Sequence, residues 1–258
     1  MSNPDTITSV QNPLIKETVK LQRKKERDEA GLLLVETRHP IEEAIANGLT
    51  MKHWFKLENA TSDQVPEFIP MPAVLVTEEV MKKLCTTDSP PPCVGVFEKE
   101  NTETLPDLDK GVVLILDSLQ DPGNLGTLIR SAAAFNVRTI ITTGNTVDAF
   151  SPKVIRASAG LVFRMFMFEG DAVLDTLATT PPPLYWATHT ADALPYTEAD
   201  FSKPCALLLG SEGTGIRDEL KTKLTLTPIT IPMAPGVDSL NVAVSGSILL
   251  AQSFLAQK

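Results

Sequence analysis

One stretch narrows the choice of fold more than any other. Residues 111–117, GVVLILD, are a run of aliphatic side chains with no polar alternation before the closing Asp117. A strand with one wet face alternates, whereas an unbroken apolar run of this length reads as a strand buried on both faces. The theme repeats downstream. Strands are expected at 138–142, 162–166, 184–188, 205–209 and 226–231, with helices at 124–135, 152–158, 172–179 and 216–223 and an apolar helix closing the chain. Such alternation predicts an α/β fold, a parallel sheet covered by helices. Ligands of these sheets lie off the carboxyl ends of the strands. That rule singles out three loops, at 117–126, 210–215 and 232–241.

Upstream, residues 1–98 read as a small α/β unit. A helix is expected at 12–25, a strand at 32–35 and a helix at 38–46. Apolar segments follow at 53–57 and 73–76, then a helix at 78–84 capped by Thr77, and a strand at 94–97 after three consecutive prolines. The polar segment 99–110, with Pro106 and no apolar periodicity, reads as a linker to a second domain spanning 111–258.

The chain carries a net charge of −9, which argues against a general nucleic-acid binder. The distribution qualifies this. Six basic residues fall between Lys16 and Arg27. Lys16, Lys20, Lys24 and Arg27 recur at helical spacing, and with Arg23 they form either a solvated face or a local phosphate-binding patch. No apolar run approaches the roughly 18 residues of a membrane span. The polar start shows neither a signal-peptide core nor an Arg-rich transit helix. Cys85, Cys93 and Cys205 have neither disulfide-framework nor metal-motif spacing, and His39, His53 and His189 are scattered, so no metal is expected. The cytoplasm is the default compartment.

The loops hold the chemistry. The first, DSLQDPGNLGTLIRSAAAF, places Gly123 and Gly126 for close backbone approach, Asn124 at the mouth of a helix, and Arg130 nearly two turns into apolar surroundings. Arg130 either snorkels outward or points to a charged group. A dinucleotide loop is disfavoured because G-x-G-x-x-G is absent. The second, LLLGSEGTGI, surrounds Glu212 with glycines, so that its carboxylate either faces a cation or simply favours a helix start. The third, IPMAPGVDSLNVAV, bends through Pro and Gly before Ser239 and Asn241. There Ser239 serves as a helix N-cap, as part of a ligand site, or as both. The helix beyond is expected to present Leu240, Val244, Ile248 and Leu255 on one face.

Together the motifs N-L-G-x-x-x-R, L-L-G-x-E-G-x-G and I-P-M-x-x-G-x-x-S-L-N-V-x-V-S resemble the SpoU/TrmH branch of the SPOUT RNA 2′-O-methyltransferases. SPKVIRASAGLVFRM, residues 151–165, looks like the segment between the first two motifs of that family, with Leu161 where a smaller residue is commoner. ITSVQNPLIKETVKLQRKKER…GLLLVE resembles its L30e-like substrate-binding domain.

The resemblance implies a C-terminal trefoil knot, which pattern reasoning alone would reject. It implies S-adenosylmethionine bound largely through backbone at Gly210, Ile231 and Leu240, with Thr188 and Met233 nearby, and a homodimer with the site close to the interface. It implies methyl transfer to a ribose 2′-hydroxyl, with Asn124, Arg130, Glu212, Ser239 and Asn241 at the family's functional positions. The family's Arg is described as a general base. Arg holds its proton to a pKa above about 12, so orienting RNA phosphate and stabilising a developing alkoxide is the physically easier role. The basic residues Lys16, Lys20, Arg23, Lys24 and Arg27 would hold RNA away from the chemistry. The L30e-like extension favours ribosomal RNA over tRNA. A non-catalytic RNA-binding assembly factor is the alternative from another class.

Overall fold

The computed structural model describes residues 6–69, 71–99, 111–179 and 182–258. Its helices and strands, in chain order, are α1 (Pro13–Lys20), α2 (Lys24–Ala30), β1 (Leu32–Glu36), α3 (Arg38–Ala46), β2 (Met51–Leu57), β3 (Val74–Val76), α4 (Glu78–Leu84), β4 (Cys93–Glu98), β5 (Val112–Asp117), α5 (Pro122–Ala134), β6 (Thr139–Thr143), α6 (Pro152–Ala157), β7 (Phe166–Glu169), α7 (Ala172–Thr179), β8 (Leu184–Ala187), β9 (Leu194–Pro195), β10 (Cys205–Leu209), α8 (Asp218–Lys223), β11 (Thr227–Thr230) and α9 (Val242–Ala256). They fall into two compact units. Asp148–Phe163 joins the first with β1–β4, and the described residues from Gly111 to Val147 and from Arg164 onward make the second. Beyond Lys99, the expected linker lies outside the described residues.

In the first unit the sheet order is β1-β4-β2-β3, with β4 antiparallel to both neighbours and β2 parallel to β3. The helix expected at 12–25 is two helices. Asn12 caps α1 through Leu14 N–H at 2.9 Å, and Pro13 occupies the first turn, where its missing N–H costs nothing. The break comes at Leu21, which turns into a core with Ile15, Phe55 and Met81. Its carbonyl accepts from the Arg27 guanidinium at 2.8 Å. Helix α4 matches the expected range, but the Thr77 side chain makes no capping hydrogen bond, and its hydroxyl is buried without a partner among the described residues. Helix α6 packs on β1 in this unit, held by Arg156 Nη1 donating to the fully buried Glu36 carboxylate at 2.5 Å. At Gly160, φ is +79° and a Cβ would lie 2.8 Å from Pro40 Cα, so both conformation and space call for glycine.

The second unit is a seven-stranded sheet, ordered β7-β6-β5-β10-β8-β11-β9, and every pair is parallel. All six residues of β5 are buried, as the GVVLILD run predicts. Ile115, Leu174, Leu208 and Leu220 build the core under α7 and α8, each buried aliphatic contributing about 2 kcal/mol. The strand expected at 162–166 begins later. Leu161–Arg164 forms a 3-10 turn, and β7 starts where Phe166 N–H reaches the Arg138 carbonyl at 2.8 Å. The apolar run there is longer than the strand, and pairing with β6 decides the register.

Helix α9 faces differently from expectation. It buries Val242, Ala243, Gly246, Leu249, Leu250 and Ser253, whereas Val244 and Leu255 are 48% and 66% exposed. A helix apolar almost all round offers no periodic cue, so close packing selects the face. A Cβ on Gly246 would sit 2.3 Å from Leu128 Cδ2 and 2.7 Å from Leu209 Cδ1, which places Gly246 where α9 closes on α5 and β10.

Candidate functional site

Parallel strands put the carboxyl ends of β5, β8, β10 and β11 along one edge. The loops leaving β8, β10 and β11 enclose a cavity of about 170 Å³. Four of the five residues expected to hold the cofactor, Thr188, Gly210, Ile231 and Leu240, line it. Met233 does not. Neither Gly123 nor Gly126 lines it either, and Gly126 is buried within α5. Apolar walls come from Leu209, Ile229 and Leu249, with Thr188, Ser239 and Ser245 adding hydroxyls. His189 and Trp186 also line it and carried no sequence signal beyond their place at the end of β8. Trp186 keeps a buried Nε1–H with no partner among the described residues. Aliphatic walls and hydroxyls suit a nucleoside with a charged tail, so these residues fit S-adenosylmethionine.

The loop after β10 is a closed hairpin. Ser211 and Gly215 exchange N–H···O=C bonds of 3.0 and 2.9 Å, and the Ser211 hydroxyl pairs with Thr214 Oγ1 at 2.7 Å. Gly210 must be glycine, because a Cβ would stand 2.2 Å from the Gly215 carbonyl carbon. Glu212 sits at the exposed tip of this hairpin.

Three elements converge on that carboxylate. Glu212 Oε1 accepts from Asn241 Nδ2 at 2.6 Å, Val242 N–H at 3.1 Å and Asn124 Nδ2 at 3.3 Å. Asn241 Nδ2 also donates to Asn124 Oδ1 at 2.9 Å. Asn241, not Ser239, is the N-cap of α9, its Oδ1 accepting from Ala243 and Val244 N–H at 3.0 and 3.3 Å. Helix α9 begins at Val242, so Ser239 is too far upstream to cap it and lines the cavity instead. Negative charge at this helix start is favoured by the dipole. Asn124 itself lies in the first turn of α5, its N–H bonded to the capping Asp121 carboxylate at 2.7 Å. Arg130 stands apart, exposed, lining no part of the cavity and with no hydrogen bond or ion pair among the described residues.

The basic stripe is not continuous. Arg27 is only 2% exposed and is spent on the Leu21 carbonyl and the Asp148 carboxylate. The helix break at Leu21 removes the shared face, and burial claims the cation. Lys20 pairs with Glu17 at 2.8 Å, and that bond raises its pKa; Lys24 pairs with Asp28 at 3.8 Å. Lys16 and Arg23 are exposed, with no partner among the described residues. No group of three His, Cys, Asp or Glu among the described residues could hold a metal, and no helix there is long and apolar enough to cross a membrane.

Comparison with known proteins matches this architecture. An uncharacterized tRNA/rRNA methyltransferase of Synechocystis is 34% identical, over 96% of this chain and 93% of its own. The Bacillus subtilis 23S rRNA (guanosine(2553)-2′-O)-methyltransferase is 31% identical, over 95% and 97%. A crystallographic RNA 2′-O ribose methyltransferase superposes with a TM-score of 0.83 at 34% identity, covering 98% of both chains. An AdoMet-bound rRNA methyltransferase from Sinorhizobium meliloti gives 0.80 at 30% identity, covering 96% of both. Residues 12–95 match an MRM3-like substrate binding domain. With residues 111–251 matching the family description as well, the chain belongs to the SpoU rRNA Methylase family.

Proposed function

We propose that this chain methylates a ribose 2′-hydroxyl of ribosomal RNA from S-adenosylmethionine held in the cavity at the carboxyl edge of the second unit. One observation carries the reading: Asn124 from the first turn of α5, Glu212 from the hairpin after β10 and Asn241 from the start of α9 meet in one hydrogen-bonded cluster beside that cavity. When bound, the cofactor supplies an electrophilic methyl on a cationic sulfur. That methyl would pass to the ribose 2′-oxygen, the sulfur keeping the bonding electron pair and the hydroxyl proton going to solvent water. Glu212, locked by its donors, sets negative charge at the cavity rim, where it favours the sulfonium. Thr188, Gly210, Ile231 and Leu240 hold the nucleoside. Arg130, free and exposed, takes an RNA phosphate and offsets charge developing on the 2′-oxygen; it need not surrender a proton.

Lys16 and Arg23 make the first unit's phosphate contacts. The chain works as a homodimer in the cytoplasm. An open apolar groove between α5 and α9, with Phe135, Val244 and Ile248 in its wall, supports self-association, and three free, buried cysteines accord with a reducing compartment. The return of α9 from beyond β11 to pack against α5 supports the trefoil knot.

The test is methyl transfer from labelled S-adenosylmethionine to ribosomal RNA, with tRNA as the competing substrate. Arg130→Ala should abolish transfer while cofactor affinity survives. Near-wild-type turnover by that variant removes Arg130 from the mechanism, and labelling of tRNA alone overturns the substrate assignment.

A further inference from the structure

The loops carrying Asn124 and Glu212 are joined twice. At their tips the two side chains share the Asn241 cluster. At their roots stands a second device. Asp117, the last residue of β5, is fully buried and begins the first loop. It accepts from Thr143 Oγ1, from Arg217 N–H and from Arg217 Nε, each at 2.8 Å. Arg217 lies two residues beyond the hairpin that presents Glu212. Its two terminal nitrogens fork onto Asp171 at 2.7 and 3.0 Å, so every nitrogen of the guanidinium is engaged. A Cβ on Gly144 would lie 3.0 Å from both Arg217 Nε and Asp117 Oδ1, so the neighbouring loop is cut to fit this pair.

Stability alone does not call for such a pair. Buried ion pairs are often matched or bettered by apolar side chains of equal volume. What an apolar pair lacks is direction. The fork sets both the distance and the angle between two strand ends. We infer that Asp117 and Arg217 are positioning residues, which fix the root of the Glu212 hairpin against the root of the Asn124 loop so that Glu212 meets the cofactor in one geometry. Hydrogen bonds donated to Asp171 and Asp117 keep the Arg217 pKa raised, and the Arg217 fork holds Asp171 below its ordinary value, so the outer Arg217–Asp171 pair favours its charged form. The inference rests on the proposed cofactor site.

The test is a double-mutant cycle in the full-length chain on S-adenosylmethionine affinity, read by calorimetry, with thermal denaturation alongside. Arg217→Lys keeps a cation but cannot serve Asp117 and the Asp171 fork together. Arg217→Lys and Glu212→Gln should each weaken binding about tenfold, and the double variant no more than the weaker single, as expected for residues in one network. Asp171→Asn, which trims only the outer fork, should give a smaller loss that vanishes in the Arg217→Lys background. Additive losses, or a lowered melting temperature with unchanged affinity, overturn the positioning role. If the unaltered chain does not bind the cofactor, the proposed function fails first and this inference with it; binding with additive losses sinks this inference alone.

Discussion

Replacing Gly210 by Ala isolates one steric term at the centre of the site. The backbone of Gly210 is not in the left-handed region, so alanine adopts it freely. The cost is the collision. The new Cβ would lie 2.2 Å from the carbonyl carbon of Gly215, 2.4 Å from its oxygen and 2.4 Å from Ile216 N, all backbone atoms that no rotamer change can move. To reach an ordinary contact of about 3.5 Å the two chains must part by about 1 Å. The reciprocal Ser211–Gly215 bonds, now 3.0 and 2.9 Å, then stretch beyond hydrogen-bonding range. Two lost bonds amount to about 2 kcal/mol, and because Gly210 lines the cavity, that sum corresponds to a roughly 30-fold weaker Kd for S-adenosylmethionine. Calorimetric titration measures it. Gly213→Ala is the control, since its Cβ would meet nothing within 4 Å. A Gly210→Ala affinity within about twofold of the unaltered chain would refute the reasoning.

Other perturbations probe the first unit and the clamp. Thr37, between β1 and α3, has φ +74° and ψ 158°, a region open in practice only to glycine, so Thr37→Gly should stabilise the chain by about 1 kcal/mol in chemical denaturation, strain relief outweighing glycine's added chain entropy; a destabilised variant would show that the strain estimate is wrong. Arg27→Met leaves the largely covered Asp148 without its cation and should cost about 3 kcal/mol, yet leave the salt slope of RNA binding unchanged. A lowered slope would put Arg27 back among the phosphate contacts. Because the Arg217 hydrogen bond holds the Asp171 carboxyl below its ordinary range, the stability it contributes is present above the unfolded value of about 4 and is lost as pH falls through the lower folded one. Asp171→Asn should therefore flatten the acid limb of the melting temperature against pH, and an unchanged limb counts against that linkage.

Local pattern carried much of this protein. The GVVLILD run predicts a strand buried on both faces because six consecutive residues, even Asp117, meet neighbours on either side. Glycines and prolines mark the cavity loops because only such residues turn that tightly, as the Gly210–Gly215 approach demonstrates. The three loop motifs, read together, resemble one family, and Asn124, Glu212 and Asn241 do meet.

Tertiary structure decided whatever depends on a partner distant in sequence. Helical spacing assigned Arg27 to a basic stripe, but Leu21 breaks the helix and Asp148, 121 residues on, takes the cation. An apolar helix did not disclose which face it buries until Gly246 met Leu128 and Leu209. Ser239 and Asn241 both had the chemistry of a cap, and the start of α9 gave that role to Asn241. The Asp117–Arg217 clamp left no mark in the sequence, since a carboxylate at a strand end and an arginine 100 residues later have nothing local in common. Periodicity and turn chemistry are properties of a few consecutive residues; burial and charge pairing belong to a neighbourhood, and only folding assembles it.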